Sequence, residues 1–222
     1  MTPNQIFRPA AAIFDMDGLM LDTERPMLNA WIIAGQKMKW PVTKEIALKS
    51  IGLVGEDIRK LCLNELGSNF PYDEFDILLH KLFDEEFAKG IGLKPGLTEL
   101  LDHLEKLHMP IAVATSTNRN FAVTKLKIAG IANRFEIMAC GDEVANGKPA
   151  PDIFLLAAKR LKQNPGQCIG FEDSAAGLRG LHAAGIKSVF VKDLIEPPDE
   201  VLKTVWRRYV DLSEAKELFV PI

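Results

Sequence analysis

Asp15 and Asp17 stand two residues apart in FDMDGLMLDTE, residues 14–24, where the apolar run Ala11–Phe14 ends and Gly18 follows. Side chains two apart on a strand point the same way, so both carboxylates can reach one crevice. Gly18 lets the chain turn there and lets backbone N–H groups come close to a ligand. Neighbouring carboxylates repel each other, and Mg²⁺ suits the gap because it takes oxygen ligands from one or two carboxylates, water and phosphate. The same pair would also serve as an ordinary turn and helix cap.

Three later stretches carry comparable chemistry. Ala114-Thr115-Ser116-Thr117-Asn118 places hydroxyls and successive N–H groups ahead of a helix that begins near Asn120, which makes a cradle for phosphate or, more plainly, a helix cap. In Asn146-Gly147-Lys148-Pro149-Ala150-Pro151-Asp152 the lysine sits on a loop stiffened by two prolines. That suits an ammonium needed at a fixed point beside a phosphoryl oxygen or a carboxylate, although a solvated surface lysine fits the residue too. Gly170-Phe171-Glu172-Asp173-Ser174 again ends an apolar run in acids, with helix capping by Asp173 or Ser174 as the plain alternative. Each stretch alone is a weak signal. Acid pair, hydroxyl, lysine and acid pair arriving in order at strand ends or rim loops argue for one site.

The elements that must position these residues follow from hydrophobic patterning. Short apolar runs at 110–115, 135–141, 168–171 and 187–191 repeat the pattern of Ala11–Phe14 and read as parallel strands buried on both faces. Helical spacing at 97–107, 121–129, 152–161 and 175–184 alternates with them, and Gly130 and Gly185 stand where C-caps belong. The alternation implies βαβ units and a doubly wound parallel α/β sheet, with the strand C-termini on one ligand-binding rim. The stretch from Asp22 to Gly92 breaks this rhythm: 26–38, 44–50, 56–66 and 73–89 have helical spacing with no strand among them. The expected organisation is therefore a core of residues 1–22 and 93–222 with an inserted helical cap at 23–92.

Composition narrows the function. The 222 residues are 47% hydrophobic and 26% charged, enough for a sizeable core. A formal net charge of −3 disfavours a nucleic-acid or membrane partner, both of which call for basic surface. Cys62, Cys140 and Cys168 lack metal-binding or disulfide spacing and read as buried thiols. The opening MTPNQIFRPAAAIFDMD has neither the apolar length nor the cleavage site of a signal segment, and no apolar run approaches membrane-spanning length. A cytoplasmic monomer acting on a small molecule is the expectation.

FDMDGLMLDTE, VATSTNR, NGKPAPDIF and GFEDSAAG, in this order and with a helical insert after the first, resemble the four signature motifs of the haloacid dehalogenase-like superfamily. The likeness runs the length of the chain and is greatest toward the branch that holds β-phosphoglucomutase and the phosphatases of sugar phosphates and nucleotides. It implies that Asp15 is the nucleophile that becomes an aspartyl-phosphate, and that Asp17 protonates the leaving alcohol and then activates water. It further implies that Thr115 and the Ser116 N–H hold the phosphoryl oxygens and that Lys148 offsets charge between nucleophile and phosphate. Mg²⁺ would be held by Asp15, the Asp17 backbone carbonyl and Asp173, with Glu172 close by. Asp17 separates the chain from dehalogenases acting on carbon, which lack this second acid. Where the mutase has a cap histidine and a cap-loop arginine, this chain has Met27 or Leu28 and Gly55, which favours hydrolysis over a mutase reaction. Glu24 and Arg119 are expected to face substrate, with ordinary surface charge as the alternative. Met27, Trp31, Met38 and Trp40 read as cap packing. A phosphohexomutase and a non-catalytic sugar-phosphate-binding module are the competing readings.

Overall fold

A computed structural model describes residues 7–53 and 55–219. The opening residues that bear on a signal segment lie partly outside this range. Two compact units emerge, one formed by the residues up to Leu21 together with those from Leu93 onward, the other by Asp22–Gly92.

The first unit is a parallel sheet of β1 (Ala11–Phe14), β2 (Ile111–Thr115), β3 (Ile137–Cys140), β4 (Cys168–Glu172), β5 (Lys187–Val191) and β6 (Arg207–Tyr209). Their order across the sheet is β3-β2-β1-β4-β5-β6. The chain runs outward from β1 in one direction and resumes at β4 in the other, so the crevice of this doubly wound sheet opens beyond the ends of β1 and β4. Ile13 lies in register with Ala112 on one side and Gly170 on the other. All four residues of β1 are buried, as a central strand covered on both faces requires.

The second unit holds the helices α1 (Glu24–Met38), α2 (Lys44–Lys49), α3 (Glu56–Leu66) and α4 (Tyr72–Phe87). The helices of the first unit are α5 (Leu97–Lys106), α6 (Arg119–Ile128), α7 (Asp152–Arg160), α8 (Ala175–Ala183) and the short α9 (Asp199–Leu202). Ala11 and Ile13 of β1 pack with Ala112 and Ala114 of β2 against Ile153, Phe154 and Ala157 of α7 and Leu181 of α8. The opposite parity of β1 turns Phe14 onto Phe171 in a stacked pair with centroids 4.8 Å apart. By the same parity Asp15 follows Ile13 toward the α7 side, and Glu172 follows Gly170. Gly170 admits no side chain, because a Cβ would run into Leu181.

The helical unit is held by its aromatics. Trp31 meets Phe75 edge-on at 5.1 Å, Phe75 meets Phe70, and Phe70 meets Trp40. Trp31 and Trp40 are thus packing residues, as their spacing predicts. All three cysteines are free and buried. Burial pushes the Cys62 and Cys168 thiols up to about 11, which leaves them inert as nucleophiles. No helix among the described residues is long and apolar enough to cross a membrane.

β6 was not expected from sequence. Arg207 and Arg208 are exposed, and among the described residues the strand pairs only with β5, so an edge strand without an apolar face leaves no hydrophobic run to read.

Candidate active site

Four of the residues singled out by sequence meet at the C-terminal rim of β1 and β4. Lys148, on the loop before α7, donates through Nζ to the Asp15 carboxylate, to Glu172 Oε1 at 2.6 Å and to the Ala114 carbonyl at 3.1 Å. The Lys148 and Asp15 side chains are only 7% and 9% exposed, and Glu172 is fully buried. The Lys148–Pro149 peptide bond is cis. The ammonium also lies 5.0 Å from the centre of the Phe154 ring.

Glu172 is fixed on both oxygens. Its Oε2 accepts from the Asp173 and Ser174 N–H groups at 3.1 Å each and from Ser174 Oγ at 2.9 Å. Ser174 in turn caps α8 by accepting from the Gly177 N–H at 3.0 Å. A carboxylate at a helix N-terminus is favoured by the helix dipole and by the free N–H groups there. Gly177 makes the arrangement sterically possible, since a Cβ would overlap the Glu172 carboxylate.

Ligand oxygens of Asp15, Glu172 and Asp173 all lie within 4.8 Å of one another. Burial raises the Asp15 pKa well above its ordinary value; Lys148 opposes this, while Glu172 and Asp17 add to it. Burial works against the Lys148 ammonium as well, but Asp15 and Glu172 outweigh it and raise its pKa. Three carboxylates converge beside one ammonium, so the cluster lacks positive charge. Hard carboxylate oxygens at this spacing fit a small divalent cation such as Mg²⁺.

Asp17 is held separately. Its Oδ2 accepts from Thr117 Oγ1 at 2.8 Å and its Oδ1 from Lys125 Nζ at 2.7 Å. The loop behind it is tight: Gly18 has φ 83° and its N–H bonds to the Leu21 carbonyl, while Met16 and Met20 are buried. Thr115 is buried, with Oγ1 accepting from the Thr117 N–H at 3.1 Å, and Ser116 is exposed on the same turn. Gly141 gives this turn its close seat after β3, where any Cβ would strike the Ser116 carbonyl.

Arg119 goes elsewhere. Its guanidinium donates to both oxygens of Glu143 and to the Met138 carbonyl, and Arg160 binds the same Glu143 from α7. Arg160 first, and then Arg119, hold the Glu143 carboxyl down at about 2 against the effect of burial. Arg119 therefore ties α6 to β3 and the segment after it. Glu24 lies buried in the first turn of α1 in the helical unit. Thr117 and Lys125 are the residues that sequence reasoning passed over. The hydroxyl run contained Thr117, but nothing local marks Lys125.

The sequence profile of the haloacid dehalogenase-like hydrolases matches residues 9–185. Protein CbbY of Rhodobacter capsulatus is 36% identical over 226 aligned positions, covering 95% of this chain and 97% of its own. A phosphorylated carbohydrates phosphatase of Thermotoga maritima is 29% identical and covers 81% of this chain and 83% of its own. Among solved structures, one described as a putative β-phosphoglucomutase from Thermotoga maritima superposes with a TM-score of 0.78 at 27% identity, covering 94% of this chain and 97% of its own. The chain belongs to the haloacid dehalogenase-like hydrolases. Within them it falls among the relatives of phosphosugar phosphatases and β-phosphoglucomutase.

Proposed function

We infer that the protein is a Mg²⁺-dependent phosphatase of small phosphorylated metabolites, sugar phosphates or a nucleoside monophosphate, working through an aspartyl-phosphate. The observation that carries the reading is the buried Lys148 ammonium joined to Asp15 and Glu172 beside Asp173. Asp15 attacks phosphorus as an ionised carboxylate and needs no separate base. Asp17 gives its proton to the leaving alcohol and then takes one from the water that cleaves the acyl phosphate. Thr115 and the Ser116 N–H bind phosphoryl oxygens, and Lys148 offsets the repulsion between nucleophile and phosphate. Asp15, Asp173 and the Asp17 carbonyl are the metal-holding groups. Glu172 already accepts four hydrogen bonds and is better suited to fixing Lys148 and the Asp173 turn from behind. Bound there, Mg²⁺ supplies charge neutralisation on the phosphate.

A relative named for phosphorylated carbohydrates supports the substrate class. The structural likeness to a putative β-phosphoglucomutase favours a phosphohexomutase as the second reading, against which stand Met27 or Leu28 and Gly55 in place of the mutase's histidine and arginine. A panel of phosphate esters assayed with Mg²⁺ tests both. Free phosphate that is lost on chelation and abolished by Asp15→Asn is the expected result. Undiminished turnover in Asp15→Asn would sink the nucleophile assignment, and isomerised hexose phosphate without phosphate release would establish the mutase.

A further inference from the structure

We propose that Lys125 is a positioning residue for the acid/base aspartate: from α6 it holds the Asp17 carboxylate, together with Thr117, in the orientation that both proton transfers require. The inference rests on the phosphatase reading and extends it to a residue that none of the four motifs contains.

The geometry is specific. Each carboxylate oxygen of Asp17 has its own donor, Lys125 Nζ on Oδ1 at 2.7 Å and Thr117 Oγ1 on Oδ2 at 2.8 Å. Two donors on separate oxygens fix the plane of the carboxyl group as well as its place, which one contact cannot do. The Lys125 and Asp17 side chains are 19% and 22% exposed, so water screens the pair far less than it does a surface pair. Thr117 shares the turn of Thr115, whereas Lys125 comes from the last turn of α6. The carboxyl group is thereby tied to the same segment that binds phosphate.

The chemistry explains why orientation matters. In the first step the bond from Asp15 to phosphorus forms as the ester P–O bond breaks, and the Asp17 proton passes to the departing alkoxide oxygen. In the second, water oxygen bonds to phosphorus, its proton goes to the Asp17 carboxylate, and the bond from Asp15 to phosphorus breaks. An aryl ester with a weakly basic leaving group needs no proton in the first step. An alkyl ester needs Asp17 in both.

The test compares Lys125→Met, Lys125→Arg, Asp17→Asn and the Lys125→Met/Asp17→Asn double variant, using p-nitrophenyl phosphate and the best alkyl phosphate from the panel. General acid–base catalysis contributes about 10²–10⁴-fold, so mispositioning should lower kcat on the alkyl ester by about tenfold or more. KM should stay within about twofold, Lys125→Arg should recover most of the loss, and Lys125→Met should keep the initial nitrophenolate burst while slowing the steady state. In the Asp17→Asn background Lys125→Met should cost nothing further, because the lysine acts through Asp17. An undiminished fall in that background, or a raised KM with unchanged kcat, overturns the proposal and makes Lys125 a group acting on the phosphate or on the fold. A wild-type protein that releases phosphate from no ester overturns the phosphatase reading and this one with it. An active wild type matched by Lys125→Met overturns this one alone.

Discussion

Glu172 shows how one buried side chain can join a strand end, a helix N-terminus and a lysine. It is fully buried, accepts four hydrogen bonds and presents one oxygen to Lys148. Its room depends on Gly177, and this sets two effects against each other. Alanine within a helix is favoured over glycine by about 1 kcal/mol. Overpacking against a buried group typically costs about 1–3 kcal/mol, and a displaced carboxylate would also lose hydrogen bonds. Gly177→Ala is therefore expected to lower stability by about 1–2 kcal/mol in urea denaturation and to depress kcat further than stability explains, since Lys148 loses its anchor. A more stable variant with normal turnover would contradict this. At this scale Asp15, Lys148, Glu172 and Asp173 were readable because each lies in a short stretch of unusual composition. Lys125 and Arg119 were not, because their partners are 108 and 24 residues away and a charged residue on a helix does not announce which way it is committed.

Between elements, Glu143 joins α6, α7 and the segment after β3 through Arg119 and Arg160. Its carboxyl is held from an ordinary 4.5 down to about 2. A depressed carboxyl contributes stability that is present above the unfolded-state value and is lost as pH falls through the folded one. Acid titration of wild type should therefore show a loss of stability between pH 4.5 and about 2 that is smaller in Glu143→Gln, read as denaturation midpoints across that window. Equal pH dependence in both proteins would remove this node from the acid response. The strands and helices were mostly legible, since buried parallel strands leave apolar runs and α7 and α8 begin at marked residues, Asp152 after proline and Ala175 after serine. β3 begins at Ile137 and not at Phe135, because the chain first makes a short 3-10 turn at Ala132–Arg134. β6 offered only Arg207-Arg208-Tyr209, which carries polarity where a core strand carries Val or Ile.

For the whole molecule, the acid cluster links ligand binding to folding. The residues that would hold the cation follow the ends of β1 and β4, which are adjacent only in the folded sheet. A ligand bound only by the native state stabilises it by about 2.7 kcal/mol at a hundredfold excess over Kd. Mg²⁺ should accordingly raise the Tm of wild type, and the rise should be much reduced in Asp173→Asn. Identical shifts in the two proteins would place the ion elsewhere.

The position of β1 in the sheet has a consequence for the order of assembly. β1 precedes the other five described strands in the chain, yet it sits between β2 and β4, and residues 168–172 of β4 follow only after the entire helical unit and three further helices. The stretch 22–92 is contiguous and packs within itself, so its contacts close short loops and are available early. β1 can pair with β2 once residues 111–115 are made, but its other edge stays open until β4 arrives. Asp15 at its end, the nucleophile of the proposed phosphatase, is thus made before Lys148, Glu172 and Asp173 and gains its full surroundings only once they arrive, which keeps a partly made cluster from acting as a finished site.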